Sequence, residues 1–525
     1  MKKRILSVFV IVILTITMCS CGTEKKQTAL TDIDLSGYPI KTDVTLKYWL
    51  SIHNNISAVS SSIGDTEFAK ALEKNTGVKI EYIHPPVGQE TEKFNLMMAS
   101  GDFPDIIEYD WTTFSGGPDA AIKNNIIIPL DDLIKEYAPN LCAYLEKNPD
   151  VDKAIKSKDG HYYVFPFVRS DDKLLISSGP IVRDDWLEEL GIEAPKTTED
   201  WENMLIAFRD KKGAKAPLSI RSWDTTSLLS LVNASRAMYQ ENGKVKYGVF
   251  DEGFKEALQT LNRWYKEGLL DNNYSVVDTT RLDSNILNGE TGATFHSGGS
   301  GLGKWIQSKA GDPNFSLSGI SYPTEKDGTP NKFATVSLNY EGPYSAAISS
   351  SCKNPELAVK YLDYLYSEEG HNLVNFGVEG VSYEWIDGYP TYTELIMNNP
   401  EGLTSSQAMA QHFRSNMGGP FVQDVRYIEQ YYSTPQQKDA LEAWFSSVGE
   451  SSKAKLPKLF FSSSESKEYT AIINDANKFN AENIAAFISG GRSFDEFDEY
   501  IADLKKLNIE RAIEIAQNAL NEYNK

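Results

Sequence analysis

Aromatic and polar side chains stand together at several points just past apolar runs of this sequence. Asp110-Trp111-Thr112 follows Asp105-Ile106-Ile107-Glu108-Tyr109, and His53-Asn54 follows the run 44–50. Trp223 sits in Arg221-Ser222-Trp223-Asp224, ahead of a helical stretch. Phe295-His296 leads into the loop Ser297-Gly298-Gly299-Ser300-Gly301. Tyr340, Glu379 and Trp385 stand in polar segments, and Arg183 precedes Trp186 on a short helical stretch. Aromatic faces stack on apolar C–H surface, while planar polar neighbours hydrogen-bond a ligand's polar groups. That is the chemistry of capture. Each residue also has a structural reading. Trp111 can cap the core, Trp186 can anchor its helix, Arg183 can form an ion pair and Glu379 can hold a loop. Trp201, Trp264 and Trp444 lie on amphipathic helices and read as core.

Patterns that make or break bonds do not occur. The sequence contains no Gly-x-Gly-x-x-Gly, no phosphate-binding Walker loop, no His-Glu-x-x-His and no Gly-x-Ser-x-Gly. The six histidines, at 53, 84, 161, 296, 371 and 412, have no metal-ligand spacing, and no stretch follows a calcium-loop pattern. No cofactor and no metal are expected. The Gly-rich segment 298–303 reads as a turn into a helix, with anion capture as its sharper alternative. Among 73 acidic residues, paired carboxylates remain open, because sequence does not measure their separation.

The elements that must position these residues alternate. Strands are expected at 44–50, 78–82 and 105–109. Helices are expected from the cap Asp65 through Lys74 and over 90–99. This β-α-β-α-β rhythm predicts a mostly parallel sheet with helices on both faces, and ligands bind beyond the carboxyl ends of such strands. The rhythm continues with helices at 201–211, 254–267 and 355–367, a strand at 292–296, and strongly helical sequence from 494 to 523.

Lys2, Lys3 and Arg4 precede an uncharged apolar run over residues 5–16, in the length range of a signal peptide and too short to span a bilayer. Met18-Cys19-Ser20-Cys21-Gly22 resembles a bacterial lipobox with Cys21 as the lipidated residue. Residues 1–21 are therefore expected to be a lipoprotein signal peptide and 22–42 a flexible tether. Removing Lys2, Lys3 and Arg4 leaves 49 basic against 73 acidic residues, a net charge of −24. So acidic a chain excludes nucleic acid as a partner, because phosphate neutralisation needs a basic surplus. Cys142 and Cys352 remain in the body; two cysteines do not make a disulfide scaffold, and buried free thiols are the expectation.

Several segments, in order along the mature chain, resemble the extracellular solute-binding proteins of ABC transporters. The likeness is to family 1, in its large carbohydrate-associated lipoprotein group of Gram-positive bacteria. Ser100-Gly101-Asp102-Phe103-Pro104-Asp105-Ile106-Ile107 resembles the family's turn and strand "SGDxPDII". Asp159-Gly160-His161-Tyr162-Tyr163-Val164-Phe165-Pro166 resembles a crossover between lobes, and Arg183-Asp184-Asp185-Trp186-Leu187-Glu188-Glu189-Leu190-Gly191 resembles "RxDWLxKLG". Asn375-Phe376-Gly377-Val378-Glu379-Gly380-Val381-Ser382-Tyr383 resembles "YGxEGxxY". The resemblance implies an α/β, two-lobed fold of the type II periplasmic-binding-protein kind, with lobes discontinuous in sequence and a hinge between them. One lobe is expected from 43–166 plus about 345–400, the other from 167–344 plus about 401–525. Crossings are expected near 165–168, 340–346 and 390–410.

The resemblance further implies a monomeric, non-enzymatic lipoprotein on the outer face of the membrane. It would capture an oligosaccharide in the cleft and deliver it to permease subunits. A peptide or other polar solute, or a surface glycoside hydrolase, are the alternatives. The residues expected to meet the ligand are His53, Asp110, Trp111, Arg183, Trp186, Trp223, Phe295, His296, Tyr340, Glu379 and Trp385.

Overall fold

A computed structural model describes residues 33–525 of the chain. The expected signal peptide, Cys21 and the first part of the expected tether lie outside the described residues. Residues 33–42 are not a free tether. Tyr38 donates to the Lys360 carbonyl at 2.6 Å and packs edge-on against Tyr364, and the Ile40 amide donates to the Thr76 carbonyl. The apolar side chains of Ile33, Leu35, Tyr38 and Ile40 dock this segment on the body.

The strands, in chain order, are β1 (Thr45–Trp49), β2 (Lys79–Ile83), β3 (Ile106–Tyr109), β4 (Val168–Arg169), β5 (Ser178–Arg183), β6 (Met238–Glu241), β7 (Lys244–Tyr247), β8 (Ala293–Ser297), β9 (Leu317–Gly319), β10 (Ser345–Ile348), β11 (Tyr383–Ile386), β12 (Tyr389–Tyr392) and β13 (Val422–Gln423). The first lobe is built on a sheet of order β10-β3-β1-β2. Its β1 runs parallel to β2 and β3, with Tyr48 level with Tyr82 and Ile106, so the carboxyl ends of the three strands open on one side. Only β10 is antiparallel, Ser345 facing Tyr109.

The second lobe departs from the expected parallel rhythm. Its sheet, β8-β5-β9, is antiparallel throughout. Between β5 and β8 the chain passes through several helices and re-enters from the opposite end, which only an antiparallel pairing accepts.

Local chemistry explains the helix ends. The helix Glu67–Thr76 begins one residue later than expected, because Thr66 supplies the capping oxygen to the Ala69 amide while Asp65 closes a preceding 3₁₀ turn. Its buried Phe68 and Leu72 each contribute roughly 1.5–3 kcal/mol. Gly77 ends it at φ +73°. The helix Thr198–Lys212 carries a full capping box between Thr197 and Asp200.

Two separate hydrophobic cores define the lobes. One unites Ile40 to Val168 with Tyr340 to Val374 and Ala410, Met417, Phe421 and Val422. The other unites Leu174 to Val336 with Phe376 to Met409 and Tyr427 to Ala512. The chain passes between them over 168–174, 336–340 and 374–376, then back over 409–417 and out again over 422–427. The third passage thus lies well before 390–410. Phe376, Tyr383, Tyr392 and Phe413 form one aromatic cluster, which holds residues 376–397 on the second core. A later strap, 455–463, returns to the first lobe, where Phe460 packs edge-on against Tyr163.

Candidate functional site

The passages between lobes place two strand ends beside each other. Tyr109, at the end of β3, pairs with Ser345, which directly follows the second passage. Ser178 opens β5 just after the first passage and pairs with Ser297, the last residue of β8. The residues following β3 and β8 therefore face the hinge, and the far end of β5 faces away from it.

On the first lobe these ends surround a cavity of about 430 Å³, whose lining includes His53, Glu108, Asp110, Tyr344, Arg414 and Met417. His53 caps the helix Asn54–Ser57, its Nδ1 accepting from the Asn55 amide at 3.2 Å. Burial, and then the Arg414 charge, lower its pKa. Asp110 caps the turn Trp111–Thr113 by accepting from the Thr112 amide at 3.1 Å, and Lys458 of the strap stands 3.6 Å away.

Beneath them lies a buried pair. Arg414 donates Nη2 to Glu108 Oε1 at 3.0 Å and Nη1 to Oε2 at 3.3 Å, and Tyr48 donates to the same carboxylate at 2.7 Å. The buried Arg414 Nε has no hydrogen-bond partner among the described residues. Tyr344 holds φ at +61°, a conformation costly for a side-chain-bearing residue, and its ring packs edge-on to Phe167.

On the second lobe Trp223 is 58% exposed. The Arg221 guanidinium lies 5.4 Å from its ring centre, held by Asp224 at 2.6 Å and by His296 Nε2 at 3.0 Å. His296 is buried; burial, then the Arg221 charge, take its pKa down to about 4, so it is a neutral acceptor at pH 7. The Gly-rich stretch Gly298–Gly303 forms a wide helical turn beside it. A Cβ on Gly298 would stand 2.6 Å from the Tyr432 ring, so only glycine lets the turn pass under the tyrosines of the helix Val425–Tyr431 and its C-cap.

Of the residues read from sequence, His53 and Asp110 line the cavity, and Trp223 and His296 form the cluster on the facing lobe. Seven others lie elsewhere. Trp111 is fully buried, donating its indole N–H to the Ile107 carbonyl and packing edge-on to Phe94. Phe295 points into the second core against Tyr322. Tyr340 is buried, its hydroxyl 3.0 Å from that of Tyr163.

Arg183 and Trp186 sit at the end of β5 remote from the hinge. There Arg183 pairs with Asp185 at 2.6 Å and stacks 4.6 Å from Trp186, a structural cluster. Glu379 and Trp385 are exposed on and beside the β11–β12 hairpin, which is fixed to the helix Val425–Tyr431 by Tyr389–Glu429 and Gln430–Pro390 hydrogen bonds. Neither lines the cavity.

Sequence reasoning missed Arg414, Tyr344 and Glu108. Glu108 left a signal, an acid within the apolar strand Ile106–Tyr109. Arg414, 306 residues from its partner, left none. A larger basin of about 1180 Å³ belongs to the second lobe alone, and none of the predicted residues lines it. Cys142 and Cys352 are free thiols, each raised by burial, Cys352 to about 12. No helix among the described residues is long and apolar enough to cross a membrane.

The chain is 24% identical, over 540 aligned positions covering 96% of each protein, to the fructooligosaccharide ABC transporter substrate-binding protein FusA of Streptococcus pneumoniae. It is 28% identical to the lipoprotein LipO of Bacillus subtilis over 65% of this chain and 68% of that protein. The crystal structure of the alginate-binding protein AlgQ2 without calcium ion superposes with a TM-score of 0.75, at 23% identity, over 95% of this chain and all of that one. That likeness shows the two-lobed solute-binding fold. Residues 60–372 match the family model described as bacterial extracellular solute-binding protein, and the chain belongs to that family.

Proposed function

We propose that this protein is the capture subunit of an ABC importer, a monomeric lipoprotein held to the outer membrane face through a lipid on Cys21. It closes its lobes on an oligosaccharide and passes it, unchanged, to a membrane permease. The observation that carries this reading is Trp223. An indole more than half exposed, braced by Arg221, Asp224 and His296 beside the hinge-facing end of β8, is a fixed stacking face ringed by hydrogen-bonding groups. On the other lobe, His53, Asp110 and Arg414 line a cavity at strand ends, where open α/β sheets bind ligands. The fructooligosaccharide for which the FusA relative is named supports the same class.

The test is thermal unfolding of the protein against a panel of oligosaccharides. A ligand that binds only the folded state raises the midpoint by mass action, by about 2.7 kcal/mol of stability at a hundredfold excess over Kd. A rise with one class, and recovery of the sugar intact, is the expected result. Recovery of cleaved sugar would make the protein a hydrolase, and a rise with peptides alone would overturn the carbohydrate assignment.

A further inference from the structure

We propose that the cleft selects electrically neutral oligosaccharides over uronate-rich ones, an inference that rests on the sugar-capture reading. The relatives leave the matter open. One is named for a fructooligosaccharide, which is neutral, and another for alginate, a polymer of uronates.

The charges of this chain's own cleft decide it. The cavity lining carries Glu90, Glu108 and Asp110 against the single cation Arg414. Arg414 is committed to Glu108 at 3.0 Å, and the one cation that reaches in from the strap, Lys458, stands against Asp110 at 3.6 Å. Across the cleft, Arg221 is neutralised by Asp224 at 2.6 Å. At the passages, Arg169 and Lys455 share Glu341 at 3.1 and 2.8 Å, and Arg426 is held by Asp424 at 2.6 Å. His296 is neutral.

A uronate entering this site would leave water and meet Glu90 and Glu108 with no uncommitted cation beside them among the described residues that line the cavity. A desolvated charge is tolerated only where a partner compensates it. Hydroxyls suit the same surface. Each both donates and accepts, and each ion pair presents a donor and an acceptor edge side by side. Arg414 spends two N–H groups on Glu108 and leaves its Nε–H unpartnered. The excess negative charge of the whole chain also slows the encounter with a polyanion.

The experiment is isothermal titration of the full-length protein in detergent with tetrasaccharides of equal length. One set is neutral (fructo-, xylo-, manno- and galacto-oligosaccharides), the other is uronate (oligogalacturonate and alginate fragments). The best neutral ligand is expected to bind at least ~10-fold tighter than any uronate, with its affinity nearly constant between about 20 and about 300 mM NaCl. A uronate that outbinds every neutral sugar would overturn the inference and leave the sugar-capture reading standing. Failure of every sugar, neutral or acidic, would overturn both.

Two variants sharpen the outcome. Asp224→Asn frees Arg221, and Glu341→Gln frees Arg169 and Lys455; both positions tolerate an isosteric amide better than the buried Glu108. Each is expected to raise the uronate-to-neutral affinity ratio ~10-fold, the effect of removing one carboxylate charge that compensates cationic side chains. An unchanged ratio in both variants, each shown folded by its unfolding midpoint, would sink the proposal.

Discussion

Trp111 and Trp223 carry the same side chain into opposite roles, and neighbouring polar atoms decide which. The indole N–H of Trp111 finds the Ile107 carbonyl inside its own lobe, so the whole ring is buried without an unsatisfied donor. Trp223 lies on a short loop whose Arg221 pairs with Asp224 and with His296, which leaves the ring over the surface. Trp223→Ala is therefore expected to weaken oligosaccharide binding by about 10- to 100-fold while moving the unfolding free energy by no more than ~0.5 kcal/mol. Trp111→Ala, measured beside it, removes a packed core ring and costs about 3–5 kcal/mol of stability. Titration calorimetry with chemical unfolding on both variants checks the pair; equal losses of affinity would remove Trp223 from the site. Trp111 was readable as an aromatic after a strand and Trp223 as one ahead of a helix, each flanked by polar residues, and nothing in their neighbouring letters separates them.

At the scale of elements, the passages between lobes hold their own polar cluster. Asp424 lies on the passage after β13 and receives hydrogen bonds from His371 at 2.9 Å and from Arg426, while Asn375 bridges the Val422 carbonyl and the Asp424 amide. Burial alone would raise the Asp424 pKa. The donors from His371 and Arg426 outweigh it and hold the carboxyl well below the ordinary value of 3.8. A depressed folded pKa contributes stability that is complete above the unfolded value and lost as pH falls below it. Wild-type protein is thus expected to lose stability steeply below about pH 4, and Asp424→Asn to lower stability at pH 7 by about 1–3 kcal/mol and flatten that acid limb. Urea unfolding as a function of pH measures both. An unchanged acid limb in the variant would place the titrating group elsewhere. The strands β1, β2 and β3 and the helices Glu67–Thr76 and Glu90–Ser100 were legible from periodicity and caps, whereas β11, β12, β13 and the helix Val425–Tyr431 were not read from the sequence. The antiparallel second sheet and the 374–376 passage were not, because pairing direction and lobe membership depend on contacts distant in sequence.

At the scale of the molecule, two cores joined by several chain passages make closure a rotation of preformed bodies, as in hinge-type binding proteins. A single compact body of this length would have a radius of gyration of ~24 Å. Small-angle scattering is expected to give a larger value without ligand and a decrease of ~1 Å with a bound oligosaccharide. No change on saturation would mean that the lobes are fixed by the strap. Lys458–Asp110 and Phe460–Tyr163 are the contacts to loosen in that case.

The sequence by itself determined the class of the molecule. Alternating strands and helices with their caps, the ordered family segments, and an acidic body behind a segment that resembles a lipobox are local properties, and local chemistry writes them into neighbouring residues. Only the tertiary structure decided which aromatics face a ligand and which hold the core. It also brought Arg414 onto Glu108 across 306 residues and left Arg183 and Trp186 at the far end of their strand. A side chain's exposure and charge partner are set by whichever distant segment packs against it, and a single sequence carries no measure of that distance.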